Sequence, residues 1–336
     1  CHNRRVGFPR YPIIFQLSKR AFSATFFQET ITTNIIGDNN KRQMKKKAIF
    51  VMNLISGTSS KAGVPDLIEN NLDKEKFDYE IVVTEYAGHA SEIASRAKDN
   101  GVDLVVAVGG DGTVNEVARA IVHSDTALGI MPCGSGNGLA RHLLLPMNLR
   151  KSLDIINAFD VRDLDYGIIN GHPFFCTCGM GFDAFVSQKF AEAGKRGPIT
   201  YAENILREGL KYKPETYVLE DENGTNQYKA FLISCANASQ YGNNAYIAPQ
   251  ASMSDGLIDV IIMEPFDVFE APQISIDMFN KTLDKNSKIK TFRCKKLHIH
   301  RSKPGVIHYD GDPVMTGEDI DVELQEKGIK IVTNPF

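Results

Sequence analysis

A chain of 336 residues, 43% hydrophobic and 24% charged, has ordinary globular composition and length enough for two domains. Its net charge of -3 gives no bulk basicity, so no nucleic-acid partner is expected. No apolar run approaches the roughly 20 residues of a spanning helix, so any membrane is met from its side.

Six cysteines show neither a CxxC pair nor a regular framework, which points to reduced, buried thiols and a cytoplasmic setting. Residues 1–30 carry Arg4, Arg5, Arg10, Lys19 and Arg20 against the single acid Glu29. Residues 1–43 therefore read as a disordered or non-native extension ahead of Met44, with a targeting segment or basic membrane-touching arm as the alternative.

From Lys46 the pattern alternates strand and helix: KAIFVMN, PDLIENNL, YEIVVTEY, HASEIASRAKDNG, DLVVAV, a glycine loop with a helix from Val114, ALGIMP, and a second glycine loop with its helix. Such alternation predicts βαβ units and a parallel sheet. His89 reads as a helix cap. Near Asp165 the style changes to short strands, with hairpin signals at Asn170-Gly171 and Asn223-Gly224. The strands GLIDVIIME, KTFRCKKLHIH and GVIHYDGDP follow, interrupted by a helix over about residues 267–280. The expected architecture is an α/β nucleotide domain over residues 44–165, rejoined by a C-terminal strand near 321–336, and a mainly antiparallel β-sandwich over 166–320.

The stretch AVGGDGTVNEVARAI sets Gly109, Gly110 and Gly112 around Asp111, between a buried strand and a helix whose Val114, Val117, Ala118 and Ile121 form one stripe. Thr113 and Glu116 fit a capping box. Backbone N–H groups and the helix dipole favour anions at such a junction. The pattern is neither G-x-G-x-x-G nor a P-loop, and a carboxylate inside a phosphate cradle calls for a cation, usually Mg²⁺. A plain tight turn is the alternative for this loop alone. A second loop, MPCGSGNGLARHL, repeats the grammar with Gly134, Ser135, Gly136 and Asn137. A third, NLISGTSS, offers Asn53, Ser56, Gly57 and Thr58. Adjacent parallel strands would bring all three to one sheet edge.

GGDGTVNEV followed by MPCGSGNGLAR resembles the lipid kinase family of diacylglycerol and sphingosine kinases, from Met44 to the end of the chain. That resemblance implies a Rossmann-like nucleotide domain, related to those of NAD kinase and phosphofructokinase, and a lipid-substrate sandwich. It implies transfer of the ATP γ-phosphate to a lipid hydroxyl with Mg²⁺, at the inner face of a membrane. Carried over motif by motif, it assigns ATP contacts to Asn53, Ser56, Gly57, Thr84, Gly109 to Thr113, Asn115, Glu116 and Gly134 to Asn137. It assigns a substrate role to Asp165, and a second, structural Mg²⁺ to the Asp255 carboxylate with the Ser252 and Leu257 backbone oxygens. HYDGDP supplies the proposed base, Asp312 with Asp310, and Asp111 holds the catalytic metal. Leu54 departs from the usual proline of the first motif, and Asp312 stands where glutamate is commoner.

In a strand, Asp310 and Asp312 share a face; a D-G-D-P turn is the alternative. Asp183 is a candidate for lining the lipid cleft, Arg141 for reaching phosphate, and Lys195, Arg196, Lys211 and Lys213 for touching an anionic bilayer. His298 and His300 read as exposed strand residues, Cys176 and Cys178 as buried thiols. The favoured substrate is diacylglycerol or a related lipid alcohol, giving a product like phosphatidic acid. A sphingoid-base or ceramide kinase, an NAD kinase-like enzyme and a non-catalytic nucleotide or lipid sensor are the alternatives. A homodimer is left open.

Overall fold

The computed structural model describes residues 44–54, 61–193 and 212–334. Expectations for residues 1–43, for Ser56, Gly57 and Thr58, and for Lys195, Arg196 and Lys211 lie outside the described residues.

In chain order the first part runs β1 Lys46–Met52, α1 Val64–Asn71, β2 Phe77–Val83, α2 His89–Asp99, β3 Leu104–Gly109, α3 Asp111–Ile121, β4 Ala127–Pro132, α4 Gly138–His142 and α5 Leu149–Ala158. The second part runs β5 Asp160–Ile169, β6 His172–Phe174, β7 Thr177–Gly181, α6 Phe182–Ala193, β8 Glu215–Asp221, β9 Gly224–Ala230, β10 Leu232–Ala236 and β11 Ile258–Met263. It continues with α7 Ala271–Phe279, β12 Ile289–Cys294, β13 Lys296–Arg301, β14 Gly305–Tyr309, β15 Asp312–Thr316 and β16 Asp319–Thr333.

The first four strands are parallel in the order β2-β1-β3-β4. Every residue of β3 and β4 is buried, which is why both read as unbroken apolar runs: helices cover both faces of the sheet. On one side Val64, Ile68, Leu153 and Ile156 of α1 and α5 pack on Phe50, Val106 and Met131. On the other, Ile93, Ala94, Val117 and Ile121 of α2 and α3 pack on Val51, Val105 and Ile130.

The sheet continues through β16, β13, β8 and β9, with β5 and β6 off its path. A second, antiparallel sheet, β12-β11-β10-β7-β14-β15, lies over that continuation. Met180, Ile233 and Ile262 meet Tyr217, Leu219, Ile299 and Val322 between the two layers of the sandwich. The long β16 joins the halves, antiparallel to β13 at one end and parallel to β4 through Ile331 and Leu128 at the other. Lys45 onward therefore forms one compact unit.

Several local expectations change. KTFRCKKLHIH is two strands in different sheets, and the chain crosses between them at Lys295. The Asn170-Gly171 turn forms as expected, with positive φ at both residues. The next hairpin turns one residue early: Asp221 pairs with Gly224, and the Asp221 carboxylate accepts the Asn223 N–H at 2.8 Å. His89 is the first residue of α2 rather than its cap, which is Gly88. On β13 His298 lies half-buried and His300 exposed, each ring 2.8 Å from a carboxylate on β16, Asp321 and Asp319 respectively.

Candidate active site

The C-terminal ends of β1 to β4 carry the loops singled out in the sequence. Asn53 leaves β1 with its N–H on the Val108 carbonyl (3.2 Å), and Thr84 leaves β2 with its N–H on the Met52 carbonyl (2.9 Å). The two glycine loops touch backbone to backbone. A Cβ on Gly134 would stand 2.5 Å from the Gly110 Cα, so no side chain fits between them. Thr113 is buried over Gly109, its hydroxyl without a hydrogen-bond partner.

The capping box does not form. α3 begins at Asp111, three residues earlier than a Thr113 cap allows, with Gly110 as its cap. Glu116 turns to the neighbouring helix, where its carboxylate accepts the N–H groups of Gly88 (3.0 Å) and Ala90 (3.2 Å) at the start of α2. It stabilises α2 as a capping acid in trans. It faces that helix, not the glycine loops.

Asp111 reaches across to the second loop. Its two oxygens accept the Asn137 N–H at 2.8 Å and the Gly138 N–H at 2.7 Å. Asn137, in the left-handed region, closes the loop on itself: its Oδ1 accepts the Gly134 N–H (3.0 Å) and its Nδ2 donates to the Gly134 carbonyl (2.8 Å). Ser135 is left exposed at the tip. Arg141 braces the loop through its Nε on the Gly136 carbonyl (3.0 Å). The first N–H groups of α3 have no acceptor within their own helix, so Gly112 and its neighbours keep the anion-binding character of a helix start. Lys61 adds a cation that composition did not single out. It is buried, its amine sits 2.5 Å from the Asn53 carbonyl, and burial lowers its pKa.

The sandwich supplies the facing wall. Asp310 and Gly311 form the tight turn between β14 and β15, both with positive φ, so Asp310 and Asp312 do not share a strand face. They point apart. Asp312 is exposed and pairs with Arg119 of α3 at 2.7 Å. Asp310 turns inward, where its carboxylate accepts the N–H groups of Phe175 (2.8 Å), Cys176 (2.8 Å) and Thr177 (3.1 Å). Some of the residue's surface reaches solvent, yet the carboxylate lies deep, and burial raises its pKa against the opposing pull of those amides and Arg119. Cys176 lies between the acids: burial first, then Asp310 and Asp111, pushes its thiol well up.

Between these walls lies a cavity of about 460 Å³, with Asp111, Asn115, Gly138, Asp310 and Gly311 at its polar end. Its apolar end is made by Phe182, Val186, Phe190, Leu232 and Met278. Asp183 lines it too, with its carboxylate already engaged: His308 Nε2 is 3.0 Å away and the Tyr241 hydroxyl donates at 3.3 Å. Sequence reasoning missed His308 and Tyr241. Only the position of His308 two residues before Asp310 hinted at it.

Two predicted sites fall outside the cleft. Asp165 is buried as a staple, its carboxylate accepting the N–H groups of Gly256 (3.0 Å) and Lys327 (2.7 Å). The Ser252–Leu257 segment is also elsewhere. There the Asp255 carboxylate accepts its own Leu257 N–H (3.2 Å) and faces Arg293 Nη1 at 3.9 Å. Arg293 also donates to Asp259 (2.9 Å) and to the Gln250 carbonyl (3.1 Å). A guanidinium already faces the one carboxylate of that segment. We propose that Arg293, rather than a structural Mg²⁺, balances the Asp255 charge there. Chelation by EDTA is therefore expected to leave the melting temperature unchanged. Arg293→Ala should lower stability by about 1–2 kcal/mol, the buried-pair figure reduced for the half-exposed guanidinium. A melting temperature that follows added Mg²⁺ would reverse the assignment.

The cleft is different. Asp111 and Asn115 are hard oxygen donors at its polar end, the chemistry that suits Mg²⁺ carried in with a nucleotide.

His142, at the end of α4, ties the second loop to the sandwich. Its Nδ1 accepts the Ser239 N–H at 3.1 Å, and burial lowers its pKa to about 4 from 6.5. Between those values the unfolded chain binds a proton that the folded chain does not, so stability falls as pH drops through that window. The expected loss is about 3 kcal/mol by pH 4, measured by urea unfolding across pH. His142→Gln should flatten the curve, and an equally steep curve in that variant would remove His142 as the cause.

Comparison with known proteins matches this architecture. The diacylglycerol kinase catalytic domain family matches residues 47–169, and the YegS C-terminal NAD kinase beta sandwich-like domain family matches residues 176–325. A diacylglycerol kinase of Staphylococcus saprophyticus is 26% identical over 274 residues, covering 80% of this chain and 90% of that protein. A crystal structure of a diacylglycerol kinase from Bacillus anthracis str. Sterne shares the fold at a TM-score of 0.68 and 20% identity, over 87% of this chain and 98% of that one. The two matched domains contain both walls of the cleft, and the chain belongs to the diacylglycerol kinase-type lipid kinase family.

Proposed function

We propose that this enzyme transfers the γ-phosphate of ATP to the free hydroxyl of a diacylglycerol, or of a closely related neutral lipid alcohol, at the cytoplasmic face of a membrane. The observation that carries the reading is the cleft itself: glycine loops and a helix start at one end, an apolar channel at the other, and Asp310 between them. The glycine-loop amides and the N-terminus of α3 bind and orient the phosphates. Asp310 orients the lipid hydroxyl and takes its proton as the oxygen attacks. A new oxygen–phosphorus bond forms while the bond to the β-phosphate oxygen breaks, and ADP leaves with that electron pair. Mg²⁺, when bound with the nucleotide beside Asp111, neutralises phosphate charge.

The state of Asp183 favours a neutral headgroup. Its carboxylate already accepts the Ala184 N–H and the Tyr241 hydroxyl and lies against His308, so a sphingoid ammonium would have to compete with these partners for it. The test is labelled ATP offered with diacylglycerol, sphingosine or NAD. Labelled phosphatidic acid is expected. Labelled sphingosine phosphate would move the substrate class, and labelled NADP would overturn the reading.

A further inference from the structure

The segment after β11 exposes apolar side chains without an evident packing reason. Asp267 to Glu270 form a tight turn, closed by the Glu270 N–H on the Asp267 carbonyl (2.8 Å) and the Asp267 N–H on Glu270 Oε2 (2.8 Å). The Glu270 carboxylate is further pinned by Lys288 at 3.2 Å. The two residues held at the tip are Val268 and Phe269, and Phe269 is 90% exposed. Turn tips ordinarily carry Gly, Asn, Asp or Ser. α7 follows, and Ile276 and Phe279, three apart on one face, are also exposed. The opposite face is core: Ile274 is buried with Leu283 and Ile289.

Between these faces stands Met278, which lines the apolar end of the cleft beside Phe190 of α6. The exposed patch is thus continuous with the cleft mouth. Around it, Lys281 and Lys285 are exposed, and Lys281 lies 4.4 Å over the Tyr246 ring. Asp277 is turned into its own loop by Gln273 (2.8 Å) and Asn286 (2.6 Å), while Asp267 remains exposed.

We propose that Val268, Phe269, Ile276 and Phe279 form a bilayer-docking surface that seats the cleft mouth on the membrane interface. This rests on the lipid kinase reading for its purpose. A diacyl lipid cannot cross water to reach the cavity, because every exposed methylene opposes the transfer. Its entrance has to open where the acyl chains already are. A protein partner on the same patch would cover that entrance; a bilayer supplies it. Apolar side chains dipping into the headgroup region, with lysines beside them, fit an anionic interface.

The chain has no tryptophan, so Phe269→Trp places a single reporter at the tip. In the full chain, its emission is expected to shift to the blue when vesicles of phosphatidylcholine and phosphatidylglycerol are added. The double variant Phe269→Ser/Phe279→Ser should lose vesicle co-sedimentation, on the order of tenfold for each aromatic removed. Its melting temperature and its turnover of water-dispersed dioctanoylglycerol should stay those of the wild type, while turnover of long-chain diacylglycerol in vesicles falls. Water-like emission from Trp at position 269 on vesicles, or unchanged sedimentation of the double variant, overturns the proposal. Loss of self-association in ultracentrifugation with vesicle binding intact also overturns it, and gives the patch to a second copy. Vesicle binding that depends on the patch, in a protein that phosphorylates no lipid, supports docking while removing the kinase reading.

Discussion

Asp310→Asn is expected to lower kcat/KM by about 10²–10⁴-fold, the range of a lost general base, while Asp312→Asn leaves it within a few-fold of wild type. The two acids are two residues apart and equally acidic in sequence, so the contrast is geometric. Asp310 faces the cavity; Asp312 faces solvent and a guanidinium. The raised pKa of Asp310 makes it a stronger base than an ordinary carboxylate. The rate should therefore rise with pH through a value above that of an ordinary aspartate, and this limb should vanish in Asp310→Asn. That variant also places an amide NH₂ against one of three backbone N–H donors. A stability loss of about 1–3 kcal/mol accompanies it, so rates are compared well below its melting temperature. Equal damage from the two variants would return Asp312 to the mechanism.

The Asp312 side chain has a different task in this geometry. Arg119 binds it, lies 4.6 Å over the Tyr309 ring and donates to the Pro173 carbonyl at 3.3 Å. These contacts fasten the β14–β15 hairpin to α3, so the turn carrying Asp310 keeps its place relative to the nucleotide loops. Arg119 also pulls the Asp310 pKa downward, opposing burial.

The parts of the fold legible in the sequence are those set by local pattern. β3 and β4 were readable because strands covered on both faces need unbroken apolar residues, and α3 because its stripe has the helical period. What escaped was set by contacts between distant residues. Glu116 looked like half of a capping box, but its partners lie 28 and 26 residues back, on another helix. Asp183, Tyr241 and His308 meet in one wall although 58 and 125 residues separate them, so no window contains their signal. Lys61 reads as one more surface lysine until the fold closes over it. The Asp310 turn is an intermediate case. Asp-Gly is a hairpin signal, yet two acids at strand spacing carry the competing signal of a shared face, and the positive φ at both turn residues decides for the hairpin.

Asp111→Ala should damage stability and catalysis together, unlike loss of a simple metal ligand. Its carboxylate accepts two backbone N–H groups of the second glycine loop, at 2.8 and 2.7 Å. Bonds to a charged group contribute about 1.5–3 kcal/mol each, part of which water restores because the loop is only half-buried. A net loss of about 3 kcal/mol corresponds to a melting temperature lower by roughly 6–12 °C. The loop then loosens by on the order of 10²-fold, and Ser135 and the loop amides no longer wait in place for phosphate. The KM for ATP should rise and kcat should fall, both by about that factor. Asp111→Asn keeps one acceptor and sets an NH₂ against the other N–H, so it should melt between wild type and the alanine variant. A metal ligand alone predicts another pattern: an unchanged melting temperature without nucleotide, and activity partly restored by raising Mg²⁺. Because Gly136 already stands so close that a Cβ would lie 2.7 Å from Asp111 Oδ2, the loop and the acid fit only as a pair. Gly136→Ala should therefore reproduce the loop defect by pushing the loop off a carboxylate that is still present, and wild-type ATP binding in that variant would break the link between the clamp and the nucleotide site.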